Sequence, residues 1–148
     1  MILPRDYFDR PTLEVARSLV GKYLVRDQGS GLIVGRIIEV EAYIGTEDKA
    51  CHASKGRTAR TDVLFGPPGH AYVYLCYGMY EMLNVVTERE GFPAAILLRA
   101  VECDGRLIDG PGRLTRAFGI DRRLNRLAGA HRDRPGGRER AGAVAHGE

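Results

Sequence analysis

Residues 32–43 constrain the fold most. The run Leu-Ile-Val-Gly-Arg-Ile-Ile-Glu-Val-Glu-Ala-Tyr is dense in Ile and Val, which favour a pleated strand, and alternates at its end. Residues 22–26, 71–76, 81–87 and 94–101 read as further strands. The 71–76 and 81–87 runs meet at Tyr77-Gly78-Met79-Tyr80, a hairpin with glycine in its turn. The 94–101 run is apolar throughout and belongs at the centre of a sheet. Helices are few. Residues 9–21 read as one helix with Pro11 near its start, an apolar stripe of Leu13, Ala16, Leu19 and Val20, and Gly21 as a stop. A second, short helix is expected over 113–118, after Gly110-Pro111-Gly112. Several strands with few helices predict an α+β domain. Between them, residues 45–69 form a long polar connection, of a length usually functional or disordered.

The 148 residues suit one domain, expected over 1–120, followed by a tail over 121–148. A content of 44% hydrophobic and 28% charged residues argues against wholesale disorder. No apolar run approaches the roughly 18 residues of a membrane span, so no membrane partner is expected. The start shows no secretory pattern. Three cysteines, Cys51, Cys76 and Cys103, cannot all pair and lack CxxC spacing, which predicts a reducing, cytoplasmic setting. The net charge of +3 comes entirely from the tail: residues 1–120 carry 15 basic and 15 acidic side chains, and residues 121–148 carry seven Arg against four acids. Overall basicity therefore identifies no nucleic-acid binder, and any such surface must be a local patch. Residues 122–148 hold no aromatic residue and no apolar period, and read as disordered or weakly docked.

Four segments carry candidate chemistry. Glu39, Glu41 and Tyr43 share a strand face, with Val40 and Ala42 opposite. The two carboxylates are about 6.6 Å apart along the strand. Like charges so placed are one route to a general acid or base; two solvated surface glutamates are the commoner meaning of this spacing. His52 is a base, a ligand, a stacking surface or a loop histidine bound to backbone. Cys51 beside it is poor ligand geometry with no second pair nearby, so no metal is expected. Lys55, Arg57 and Arg60, with Thr58 and Thr61, suit phosphate contacts or a solvated basic loop. Four of seven tyrosines lie within residues 72–80. Tyr72 reads as core. Tyr77 does not, because a large aromatic at an exposed tip needs something to touch; a wedge there can enter a base stack. Asn84 reads a base edge or satisfies backbone. Arg99, ending an apolar strand, needs a carboxylate, and Glu41 is a candidate.

Together these blocks resemble the alkyladenine (3-methyladenine) DNA glycosylase family. The resemblance rests on Glu39-Val40-Glu41-Ala42-Tyr43-Ile44-Gly45 with Glu47-Asp48 and His52, and on Gly66-Pro67-Pro68-Gly69-His70 running through Tyr72-Val73-Tyr74 to Tyr80. Leu83-Asn84-Val85, Leu97-Leu98-Arg99-Ala100 and Gly110-Pro111-Gly112-Arg113-Leu114 complete it, over roughly residues 4–125. It implies a single α+β domain on a curved, mostly antiparallel, barrel-like sheet with short flanking helices and a protruding hairpin. It implies a monomeric, cofactor-free enzyme of base-excision repair that flips and hydrolyses alkylated or deaminated purines from duplex DNA. On that resemblance Glu41 activates water, with Arg99 and the His52 backbone positioning it. Tyr43, His52 and Tyr74 enclose the base, and Asn84 sits against its edge. Tyr77, with Met79, fills the gap in the duplex. Lys55, Arg57, Arg60 and Thr61 are the expected contacts to the DNA backbone. No lysine is placed for a Schiff base, which fits hydrolysis without strand cleavage. Family members continue past the Gly-Pro-Gly block with further strands and an aromatic ending. Here the likeness fades near Leu124-Asn125, and 19 Arg against three Lys point to GC-rich coding DNA. The expectation is a frameshift or early stop that replaces the final strands; its alternative outcome is a chain that binds damaged DNA without turnover.

Overall fold

The computed structural model describes residues 3–127 and the backbone of 143–145. In chain order come α1 (Arg5–Phe8), α2 (Thr12–Leu19), β1 (Tyr23–Asp27), β2 (Leu32–Ile44), β3 (Ala71–Cys76), β4 (Tyr80–Val86), β5 (Ala94–Cys103), β6 (Arg106–Asp109), α3 (Pro111–Phe118) and β7 (Ala143–Ala145). Among the described residues the seven strands form one sheet, ordered β3-β4-β5-β2-β1-β7, with β6 beside β5. Every pairing is antiparallel. The sheet is open, with β3 at one edge. The apolar β5 is central, with β2 along one side and β4 and β6 along the other. This is the α+β architecture that the strand periodicity implies.

The helix expected over 9–21 is α2, shorter at both ends, with Pro11 at its N-cap; it buries Thr12, Val15, Ala16 and Leu19, and the one-turn α1 before it was not expected. That spacing is i, i+3, i+4, i+7, so Leu13 and Val20 fall on the wet side. The strand β6, a four-residue return after β5, is short and exposed, too weak a pattern to read from sequence. Residues 121–127, grouped with the tail in the sequence reading, lie on the body. Leu124 is buried, and Ala71 exchanges backbone hydrogen bonds with residues 126 and 127. Residues 128–142 and 146–148, on which most of the disorder and frameshift expectation rests, lie outside the described residues.

The two sheet faces hold different cores. Val40, Ala42, Val73, Leu83, Val85, Ile96 and Leu98 join Leu19, Leu114 and Phe118 in the larger one, where α2 packs on β2 and β5 and α3 on β4 and β5. Their neighbours by alternation, Tyr43, Tyr72, Tyr74, Val86 and Ala95, face the other way and meet Cys51, Ala53, Val63 and Leu64 from the 45–69 connection. That connection is therefore ordered. It carries two single-turn 3₁₀ segments, His52–Lys55 and Asp62–Phe65, and plugs one sheet face.

Register shifts between β2 and β5 decide which face Glu41 occupies. Ile37 pairs Val101, Glu39 pairs Ala100 and Val40 pairs Leu98, so Ile38 and Arg99 each stand as an extra residue. Gly35 and Ile37 face the helices, and an added Cβ at Gly35 would stand 2.8 Å from Phe118 Cζ. Without the irregularity, Glu39 and Glu41 would follow them into that core.

Pro11 gives α2 no side-chain cap. Glu88, just past β4, supplies one across 76 residues: its Oε2 accepts from Thr12 N (2.5 Å) and from Thr12 Oγ1 (2.6 Å). Glu88→Ala is expected to lower stability by about 1–2 kcal/mol, read as a lower urea midpoint. An unchanged midpoint would show that the cap is idle.

Candidate active site

The irregularity delivers Glu41 to the face of β2 that carries Tyr43, and Arg99 to the same place from β5. Arg99 Nη1 donates to Glu41 Oε1 at 2.9 Å, and Arg99 Nε to Glu39 Oε1 at 3.1 Å. The two glutamates are thus bridged by one cation, and not a bare like-charge pair. Tyr43 Oη donates a short hydrogen bond to Glu41 Oε2. Both Glu41 oxygens are thereby oriented, and each keeps a lone pair for another donor. Burial, and then Glu41 itself, pushes the Tyr43 phenol far above its ordinary pKa, so it stays a donor.

Tyr43 also lines a cavity of about 110 Å³. Its aromatic wall is His52 from the connection with Tyr72 and Tyr74 from β3; Asn84 on β4, Ala95 on β5, and Ala50, Cys51 and Leu64 complete it. The His52 and Tyr74 centroids are 4.4 Å apart at 66°, and those of Tyr72 and Tyr74 are 5.2 Å apart at 39°. The volume is well below the ~300–1,000 Å³ of sites for drug-sized ligands. It suits one flat ring system and leaves the rest of a larger ligand outside.

Local chemistry places His52. Gly45 turns the chain at φ +72, its Cβ position 3.2 Å from Phe92, and its N–H donates to Pro93 O at 2.7 Å. Asp48 then accepts from Ile44 N and Ala50 N, both at 3.0 Å. The first 3₁₀ turn therefore starts at His52 above the strand end. His52 Nδ1 pairs with Tyr72 Oη at 2.8 Å. Tyr72, core by its strand pattern, is 2% exposed; it is also a pocket wall and the anchor of His52. Its shared face with Tyr74 was the available signal. Asn84 donates through Nδ2 to Tyr72 O at 3.2 Å. The amide therefore satisfies backbone and lines the cavity at once.

Burial lowers the His52 pKa, helped by the charges of Arg60 and Lys55, and raises those of Cys51, Tyr72 and Tyr74, the last to about 12. At neutral pH the wall is uncharged. Because the folded-state value of His52 is depressed, the unfolded chain binds more protons on acidification. Its contribution to stability is full above about 6.5 and is lost as pH falls through the folded value. The urea midpoint is expected to drop on acidification below pH 6.5, and His52→Gln to flatten that drop. An identical profile in the variant would refute the assignment.

The remaining expected residues lie apart from the cavity. Tyr77 and Met79, at the hairpin tip, are 88% and 66% exposed. Lys55 and Arg60 are exposed on the connection. Arg57 donates to Asp62 at 2.6 Å, and Arg126 donates to the same carboxylate at 3.0 Å. Thr61 is 4% exposed, and its hydroxyl donates to Gly56 O at 2.9 Å and accepts from Thr58 N. It shapes the loop and does not present that hydroxyl to solvent. Among the described residues no three His, Cys, Asp or Glu side chains converge to hold a metal ion, and no helix is long and apolar enough to cross a membrane.

Comparison with known proteins gives the family. The family model described as methylpurine-DNA glycosylase matches residues 6–134. A protein of Methanocella arvoryzae is 56% identical over 140 residues, covering 84% of this chain and 70% of its own length. One from Legionella pneumophila (strain Corby) is 54% identical over 134 residues, covering 88% and 70%. One from Myxococcus xanthus is 54% identical over 129 residues, covering 84% and 66%. All three carry the name "Putative 3-methyladenine DNA glycosylase". A family match over most of the chain, with relatives above half identity, places it: this chain belongs to the methylpurine-DNA glycosylase family.

Proposed function

We propose that the chain is a monofunctional glycosylase of base-excision repair. It takes alkylated or deaminated purines, of the 3-methyladenine, 7-methylguanine and hypoxanthine kind, out of duplex DNA and hydrolyses their glycosidic bond. The observation that carries this reading is a strand-borne carboxylate, oriented by Arg99 and joined through Tyr43 to an aromatic cavity sized for one ring system, which Tyr43 lines and Glu41 does not.

A base inside a duplex is out of reach, so it must be extruded at a cost of a few kcal/mol. Tyr77 offsets that cost by filling the vacated stack. The extruded ring lies against Tyr43, His52 and Tyr74, with Asn84 at its edge. A cationic alkylpurine gains about 0.5–2 kcal/mol from electron-rich faces. Glu41 accepts a proton from water, the water oxygen bonds to C1′, and the C1′–N bond breaks with its electrons passing to the base. A cationic base is neutralised as it leaves. Arg99 and Tyr43 hold the carboxylate aimed. Lys55 is the loop cation open to phosphate, Arg60 stands against the Tyr74 ring, and Arg57 and Thr61 hold the loop in shape.

The test is single-turnover excision by the purified chain on duplexes bearing 3-methyladenine or hypoxanthine. Release of free base without strand cleavage is expected. Tight binding with no release would favour a damage-binding protein instead, and release from free nucleosides as fast as from DNA would favour a nucleoside hydrolase.

A further inference from the structure

Tyr72 and Tyr74 border two spaces. One is the 110 Å³ cavity. The other is a groove of about 330 Å³ along β3, lined also by Val73 and Leu75 and by Arg60, Arg122 and Asn125. Arg60 belongs to the groove and not to the cavity. Its guanidinium carbon stands 5.2 Å from the centroid of the Tyr74 ring.

The cations near Arg60 are spent: Arg57 and Arg126 on Asp62, Arg122 on Glu81. Among the described residues no carboxylate pairs with Arg60. An aromatic ring attracts a cation through its quadrupole. A cation already held against the ring opposes a second one arriving in the cavity, with the part of its field that solvent at the exposed guanidinium leaves unscreened. A neutral base in the same place feels neither effect.

We infer that Arg60 is a specificity-determining residue whose guanidinium, held against the Tyr74 ring, disfavours positively charged purines in the cavity and tilts selection toward neutral damaged bases. This rests on the excision reading above and adds to it a basis for choosing among lesions. The depressed pKa of His52 is in keeping, since the Arg60 charge is among its causes after burial.

The experiment is single-turnover excision of 7-methylguanine, a cation, and hypoxanthine, a neutral base, from otherwise identical duplexes. Wild type, Arg60→Gln and Arg60→Lys are compared. Arg60 is exposed, so both variants are expected to fold. Arg60→Gln should raise the ratio of cationic to neutral excision by about three- to tenfold, the order expected for one partly solvated charge. Arg60→Lys keeps the charge and should hold that ratio within about twofold of wild type. If Arg60→Gln slows both substrates equally and lowers the logarithmic salt slope of binding by about one, Arg60 is a phosphate contact. The inference then fails while the excision reading stands. If wild type releases neither base, the excision reading itself falls and takes the inference with it.

Discussion

Glu41→Gln is expected to slow single-turnover excision by about 10²–10⁴-fold, the usual contribution of a positioned general base, while binding of the damaged duplex persists. The substitution is close to isosteric. Arg99 retains Glu39 as a partner at 3.1 Å, so no guanidinium is stranded. The Glu41 side chain is 41% exposed, and folding should barely notice. What is lost is a carboxylate able to take a proton from water while Tyr43 and Arg99 hold it in place. Base release within tenfold of wild type would remove Glu41 from the mechanism. A parallel loss of binding would assign it to recognition instead. Hydroxide-dependent recovery at high pH in the variant would add support, because external base then replaces the missing one.

Tyr77→Ala should reduce excision by about 5- to 150-fold, the equivalent of the roughly 1–3 kcal/mol carried by one stacked aromatic, and leave stability nearly unchanged. The ring touches little, being 88% exposed. Yet its backbone has φ +52, a left-handed conformation that bulky residues avoid. Such an outlier is retained where surrounding structure enforces it and where function gains. The surroundings here are firm: Thr115 Oγ1 donates to Glu81 O at 2.8 Å, and Arg122 pairs with the Glu81 carboxylate at 3.1 Å. Tyr77→Gly sharpens the test. Relief at φ +52 is offset by about 0.5–1 kcal/mol of glycine entropy, so the melting temperature should stay close to wild type as excision falls. Full activity in either variant would show that the tip does not hold the duplex open.

Much of this was legible in the sequence because strands announce themselves by alternation. Val40 and Ala42 against Glu41 and Tyr43, and Val73 against Tyr72 and Tyr74, sorted onto opposite faces as a two-residue period requires. The Arg99–Glu41 pair followed from the cost of burying a lone cation. Less was legible where tertiary packing overrides local pattern. The connection over 45–69 reads as polar because Cys51, Ala53, Val63 and Leu64 recur with no period, yet they fill the second core. Tyr72 was weighed as core alone because a pattern cannot say that a core residue also borders a cavity. The hydroxyl of Thr61 turns inward through contacts that close only after the loop folds. No propensity marks Ile38 and Arg99 as the positions where the register slips.

That slip makes the chemistry a question of parity. Between Ile37 and Val40 the chain counts three, an odd step, and odd is what carries an acid from the greasy side of a sheet to the wet one. A descendant that evened the count in both strands would keep its hairpin, yet direct the Glu41 carboxylate at the helices. The placement of Glu41 is therefore exposed to small insertions and deletions at positions far less conspicuous than Glu41 itself.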